Sequence, residues 1–179
     1  ENQTQSAEPL TEEQVNLIRD IVRPSEGDFI NDVNPFRPSL QRRNACLVML
    51  LCELGCRASE LMLIRHNGED LKLTTNPTVV IKTQRTNDSE HRGRRDGASH
   101  KTLGRELPIS QGLADLLMDY IEKDRPKLRK SFNGKLTPYL FVSEKDGGPM
   151  TTDGLNYVLD SLYRKLPSLK DAVHPHQFR

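Results

Sequence analysis

The residues best suited to chemistry lie just after an apolar run. Ala45 to Leu54 is almost unbroken in hydrophobicity, Gly55 interrupts it, and Arg57 and Glu60 follow among residues of core type. A guanidinium carried into such a place needs an anionic partner, because an unpaired buried charge is very costly. Glu60 can be that partner, as an i,i+3 ion pair. The other reading is that Arg57 is held for an anion from outside the chain, such as a phosphate. Three more groups stand downstream: Lys101-Thr102 running into Arg105-x-Leu107-Pro108-Ile109, Gly147-Gly148-Pro149, and His176-x-x-Arg179. His174 and His176 form an HxH pair, but no Cys, Asp or Glu cluster of ligand spacing accompanies it, so no metal is expected.

Elements must position these groups, and composition bounds them. The chain has 179 residues, 35% hydrophobic and 28% charged, which suits one folded domain with a real core. Net charge is only +1, so bulk charge announces no nucleic-acid partner. Cys46, Cys52 and Cys56 form no CxxC pair and lie in apolar surroundings, which fits buried thiols in a reducing compartment. No apolar run approaches the length of a membrane span.

Residues 1–9 are polar and expected to be a disordered segment or linker. Thr11 and Gln14 have capping-box spacing ahead of a helix carrying Val15, Ile18 and Val22, which Pro24 ends. A loop over 24–38 follows, with Phe29, Ile30 and Phe36 as candidate anchors. Ser39 is the expected cap of the central helix, with Arg42 and Arg43 in its first turns and Gly55 at its end. A short helix is expected over Ala58–Ile64. Strands are expected over Leu71–Thr74, Thr78–Ile81 and Gly104–Ile109, with a turn at Asn76-Pro77. Ser110 should cap a helix with Leu113, Leu116, Leu117, Tyr120 and Ile121 on one face. Tyr139–Val142 is a short apolar element, and Thr151 or Thr152 should cap a last helix. This order predicts an α+β domain, mainly helical, with a small antiparallel sheet at one edge.

In their order and spacing, the groups above resemble the catalytic domain of the tyrosine recombinase (phage integrase) family. Gly55 to Leu71 is similar to the family's first box, G-x-R-x-S-E-L-x-x-L-x-x-x-D-(I/L). Lys101–Ile109 is similar to its sheet-borne lysine and the strand that follows. His176-Gln177-Phe178-Arg179 is similar to the start of its second box, H-x-L-R-H-T. The resemblance covers residues 10–179 and implies an integrase-type catalytic domain with a three-stranded antiparallel sheet at one edge. It implies DNA strand cleavage and rejoining through a 3′-phosphotyrosyl link, without metal or cofactor. The resemblance assigns Arg57 and Arg179 to the non-bridging oxygens, which two guanidinium forks can clamp. Lys101 would give a proton to the leaving 5′-oxygen, with Lys82 as the alternative lysine. His176 would assist as base and phosphate donor, and Glu60 would orient the Arg57 guanidinium. Arg85, Arg92, Arg94, Arg95 and Arg105 are candidate contacts to DNA phosphates. The implied partners are double-stranded DNA and sister protomers in a synaptic tetramer. The implied compartment is the cytoplasm of a bacterial or mobile-element host.

One departure is expected to matter. The family's nucleophilic tyrosine would lie beyond Arg179, and Tyr120, Tyr139, Tyr157 and Tyr163 all precede His176. Tyr120, Tyr157 and Tyr163 fall on amphipathic stretches, where core packing is the default. This fragment alone is therefore expected to be inactive in cleavage. The rival readings are a type IB topoisomerase or telomere resolvase, and a non-catalytic DNA-binding fragment or regulator.

Overall fold

A computed structural model describes residues 9–66, 68–81, 104–128 and 137–167. Its helices are α1 (Glu12–Val22), α2 (Pro38–Leu54), α3 (Ala58–Met62), α4 (Gln111–Asp119), α5 (Arg125–Leu128) and α6 (Thr152–Lys165). Strands β1 (Leu71–Lys72), β2 (Thr78–Ile81) and β3 (Arg105–Pro108) form an antiparallel sheet in the order β1-β2-β3. Leu71 faces Val79, and Ile81 faces Arg105. This is the mainly helical α+β architecture expected from the sequence.

The core is built around α2, which touches α1, α3, α4 and α6. Its residues from Ala45 to Leu51 are all buried, the consequence of an apolar stretch with no polar face. The helix begins two residues earlier than a cap at Ser39 would place it. Pro38 takes its first position, where a missing N–H costs nothing, and Arg37 precedes it without a capping side chain. At the other end Gly55 adopts φ 55° and donates its N–H to the Leu51 carbonyl. That left-handed turn favours glycine, and it redirects the chain into α3.

The loop between α1 and α2 is anchored differently from the expectation. Ile30 is 65% exposed and Phe29 also faces outwards, beneath the Arg23 guanidinium at 4.1 Å. The anchor is polar: the Asn31 amide donates to the Asp20, Ile21 and Arg23 carbonyls at the end of α1. Of the three aromatic and aliphatic candidates, only Phe36 packs on the core.

The helix α3 stops at Met62, two residues short of the expected end. Ile64 to His66 instead pair with residues 138–140, through Leu140 N–H to Ile64 O (2.8 Å) and His66 N–H to Pro138 O (3.0 Å). Arg125 secures that segment by donating to the Thr137, Tyr139 and Leu140 carbonyls. The Tyr120 hydroxyl donates to the same Leu140 carbonyl, and burial holds its phenol above the usual range. Tyr120 belongs to a π turn, Tyr120–Asp124, that continues α4. Ser110 caps α4 as expected, accepting from the Leu113 N–H. It is also tied to the end of α2, because Glu53 accepts both its N–H (2.8 Å) and its hydroxyl (2.6 Å).

Thr151 caps α6, which buries Leu155, Val158, Leu159 and Leu162. Tyr157 lies off that face and is 69% exposed, so the expectation of core packing fails for it. Among the described residues, no helix is long and apolar enough to cross a membrane.

Candidate active site

Arg57 is the residue before α3. Its backbone is extended (φ −75°, ψ 150°), and its carbonyl accepts the Leu61 N–H that opens the helix. A capping residue normally offers a side-chain acceptor, and a guanidinium has none. The exposed donor here is satisfied from the other side. Glu60, three residues on, reaches back and accepts the Arg57 backbone N–H at 2.8 Å. This is one half of a capping box, with the acid doing all the accepting.

Glu60 is only 6% exposed, so this carboxylate sits in a poorly solvated place. The same oxygen is 3.4 Å from Nη2 of Arg105, the first residue of β3. Glu60 thereby joins the start of α3 to the edge strand of the sheet. Its charge is also felt by the adjacent Cys56, whose thiol is pushed up to about 12, first by burial and then by Glu60.

The expected contact between Glu60 and the Arg57 guanidinium is replaced by one to the Arg57 main chain. Among the described residues, no carboxylate pairs with the Arg57 guanidinium. Among the described residues, the arginine is therefore fixed by its backbone while its charged fork meets no carboxylate. The simple i,i+3 ion pair is not formed. Arg105, expected at DNA phosphate, has a side chain 38% exposed, and among the described residues it makes only a long contact to Glu60.

Lys82, Arg85, Arg92, Arg94, Arg95, Lys101, His176 and Arg179 lie outside the described residues. The described part fixes only their attachment on the chain. Lys82 follows Ile81, the last residue of β2, and residues 82–104 join it to Arg105, its partner across the ladder. No group of three or more His, Cys, Asp or Glu among the described residues could hold a metal. The sequence pattern does not announce the burial of two arginines, Arg43 and Arg125. Arg125 holds the segment at 137–140, and Arg43 lines a groove between α2 and α6. No local signal marks their burial: Arg125 donates 12 to 15 positions ahead, and Arg43, beside its contact to the adjacent Asn44, reaches Val142 99 positions away.

The sequence model of the phage integrase family matches residues 8–179. This chain belongs to that family. Among its relatives, tyrosine recombinase XerC of Bacillus pumilus is 26% identical over 140 residues, covering 78% of this chain and 39% of XerC. XerC of Treponema denticola is 26% identical over 146 residues, covering 78% of this chain and 41% of that protein. The chain thus spans about two fifths of the length of these relatives. Solved structures share the fold. The XerH site-specific recombinase bound to palindromic difH substrate superposes with a TM-score of 0.65 at 16% identity, covering 99% of this chain and 42% of XerH. The Tn1549 transposon integrase in complex with transposon right end DNA gives 0.62 at 20% identity, covering 99% of this chain and 52% of the integrase. The integrase-type catalytic fold expected from the sequence is therefore present.

Proposed function

We propose that this chain is the body of the catalytic domain of a tyrosine site-specific recombinase. It cleaves and rejoins DNA strands through a 3′-phosphotyrosyl intermediate. The observation that carries the reading is the way Arg57 is held. Glu60 takes its backbone N–H, and its guanidinium has no described carboxylate partner. A buried acid spent on a main-chain N–H leaves the arginine's fork available to a phosphate. Such preorganised donors are worth most where charge develops in the transition state.

In this proposal Arg57 and Arg179 bind the non-bridging oxygens of the scissile phosphate. Lys101 donates the proton to the departing 5′-oxygen, and Lys82 is its alternative. His176 assists as base and donor to the phosphate. Arg85, Arg92, Arg94, Arg95 and Arg105 contact the DNA backbone. The step forms a phosphorus–oxygen bond to a tyrosine and breaks the one to the 5′-oxygen, so it needs no redox or nucleotide cofactor, and in this proposal the cationic side chains carry the charge a metal would otherwise take. Tyr120 and Tyr139 are fully buried, and Tyr157 and Tyr163 sit on α6. All four precede His176, and in this proposal the nucleophile follows the second box in the intact protein, as the family resemblance implies. Double-stranded DNA and sister protomers in a synaptic tetramer are the proposed partners, in the cytoplasm of a bacterial or mobile-element host.

The recombinase names of the relatives favour this over the topoisomerase and the non-catalytic readings. The test is to incubate the intact protein with a nicked DNA substrate from which the broken strand diffuses away. Recombinase chemistry leaves protein covalently attached to the 3′-phosphate at one defined sequence. Relaxation of supercoiled plasmid at many sequences supports the topoisomerase instead. Binding without any covalent adduct supports the regulator.

A further inference from the structure

A groove of about 490 Å³ opens between the start of α2, the turn at 143–150 and the first half of α6. None of Arg57, Glu60 or Arg105 lines it. At its side stands Arg43, only 6% exposed. Its Nε donates to the Asn44 side-chain oxygen (3.0 Å) and its Nη1 to the Val142 carbonyl (2.9 Å). Both acceptors are neutral. Among the described residues no carboxylate pairs with this guanidinium, and its Nη2 makes no hydrogen bond there while staying open to solvent. Burial accordingly pulls its pKa down from the ordinary value. The Glu144 charge reaches it only from a distance and is opposed by Arg37, so the open Nη2 remains a donor for a further anion in the groove.

A second feature points the same way. Thr151, the cap of the fourteen-residue helix α6, and Gly154 in its first turn line the same groove; the Gly154 N–H is taken by the Thr151 hydroxyl, but that end of a helix still favours negative charge. The walls add Leu40, Met150 and Val158, and the exposed ring of Tyr157 stands at the lip. Glu144 and Asp146 also line the groove, and Glu144 pairs with Arg37. Arg37, Arg43 and Lys145 outnumber those acids by one in the lining, a balance that suits a single carboxylate better than a polyphosphate.

We propose that this groove binds an acidic side chain of another protein chain, with its carboxylate on Arg43 and an adjacent apolar residue against Tyr157, Met150 and Val158. The inference does not rest on the recombinase reading, because it uses none of the residues assigned to cleavage.

The test is NMR titration of the ¹⁵N-labelled chain. The probes are acetate, the blocked tripeptide Ac-Leu-Glu-Phe-NH₂, its glutamine counterpart, and a short DNA duplex. The glutamate peptide should shift the Arg43 Nε–H resonance and the amides of Met150, Gly154 and Val158. The glutamine peptide should bind at least about tenfold more weakly, the value of a charge-assisted hydrogen bond. Tyr157→Asp, at an exposed position, should weaken the glutamate peptide several-fold with an unchanged thermal midpoint; Arg43→Gln should abolish the preference for glutamate. Equal binding of the two peptides overturns the proposal. So does no shift with either carboxylate probe at millimolar concentration, or a groove that responds to DNA alone.

Discussion

Replacing Glu60 probes the contact on which the placement of Arg57 depends. Glu60→Ala removes a charged acceptor from the Arg57 N–H and separates α3 from Arg105. A hydrogen bond to a charged group is worth about 1.5–3 kcal/mol. The Arg105 contact is long and half exposed, so it adds at most about 0.5 kcal/mol. The space left by the shortened side chain adds to the loss, and the total is about 2–4 kcal/mol. Glu60→Gln keeps an oxygen for the N–H and loses only the charge, so it should cost about 1 kcal/mol. With a urea m-value of about 2 kcal/mol/M, the midpoint should fall by about 1–2 M for alanine and about 0.5 M for glutamine. Far-UV circular dichroism of the 179-residue chain measures both. An alanine variant no less stable than the glutamine variant would refute the argument, because the carboxylate would then not be holding the backbone.

Other perturbations address the chain's remaining features. Gly55→Ala forces a Cβ into the left-handed region and should cost about 1–2 kcal/mol, read as a lowered thermal midpoint; an unchanged midpoint would mean the turn relaxes freely. Burial pushes the Cys52 and Cys56 thiols up to about 12 and raises Cys46 well above its usual value. The folded state keeps protons that unfolded thiols release near 9.0, so stability is full below that pH and declines towards about 12. Urea midpoints at about pH 8 and about pH 10.5 should therefore differ, and Cys56→Ala should shrink the difference; an equal difference contradicts the burial argument. In the intact protein, Lys101→Ala should slow cleavage of ordinary DNA and recover on a 5′-thio substrate, whose leaving group needs no proton. Recovery by Lys82→Ala instead assigns the acid to Lys82.

Local chemistry explains what the sequence disclosed. The run from Ala45 to Leu51, the Gly55 turn and the Ser110 and Thr151 caps follow from propensity and short-range hydrogen bonds, and they lie where expected. The misplacements have long-range causes. The α3 helix ends early because residues 138–140 capture the chain at Ile64. Ile30 and Phe29 look like anchors by composition, yet Asn31 does the anchoring because three carbonyls at the end of α1 converge on it. In the candidate site, Arg57 and Glu60 were legible from spacing. Their true contact was not, because the two candidate roles for Glu60 both ended on the guanidinium, while the backbone N–H was the nearer need. The tie to Arg105 crosses 45 positions and the Arg43 contact to Val142 crosses 99, so no local pattern encodes either.

The central claim is that Arg57 is placed for a phosphate and not for the fold. Single-turnover cleavage by the intact protein, compared between wild type and Arg57→Ala, tests it most directly when paired with the unfolding midpoint. The account predicts a cleavage rate lower by at least about 10²–10³ with the midpoint unchanged, because the guanidinium holds no described carboxylate. Cleavage at the wild-type rate, or a variant that fails to fold, would contradict it.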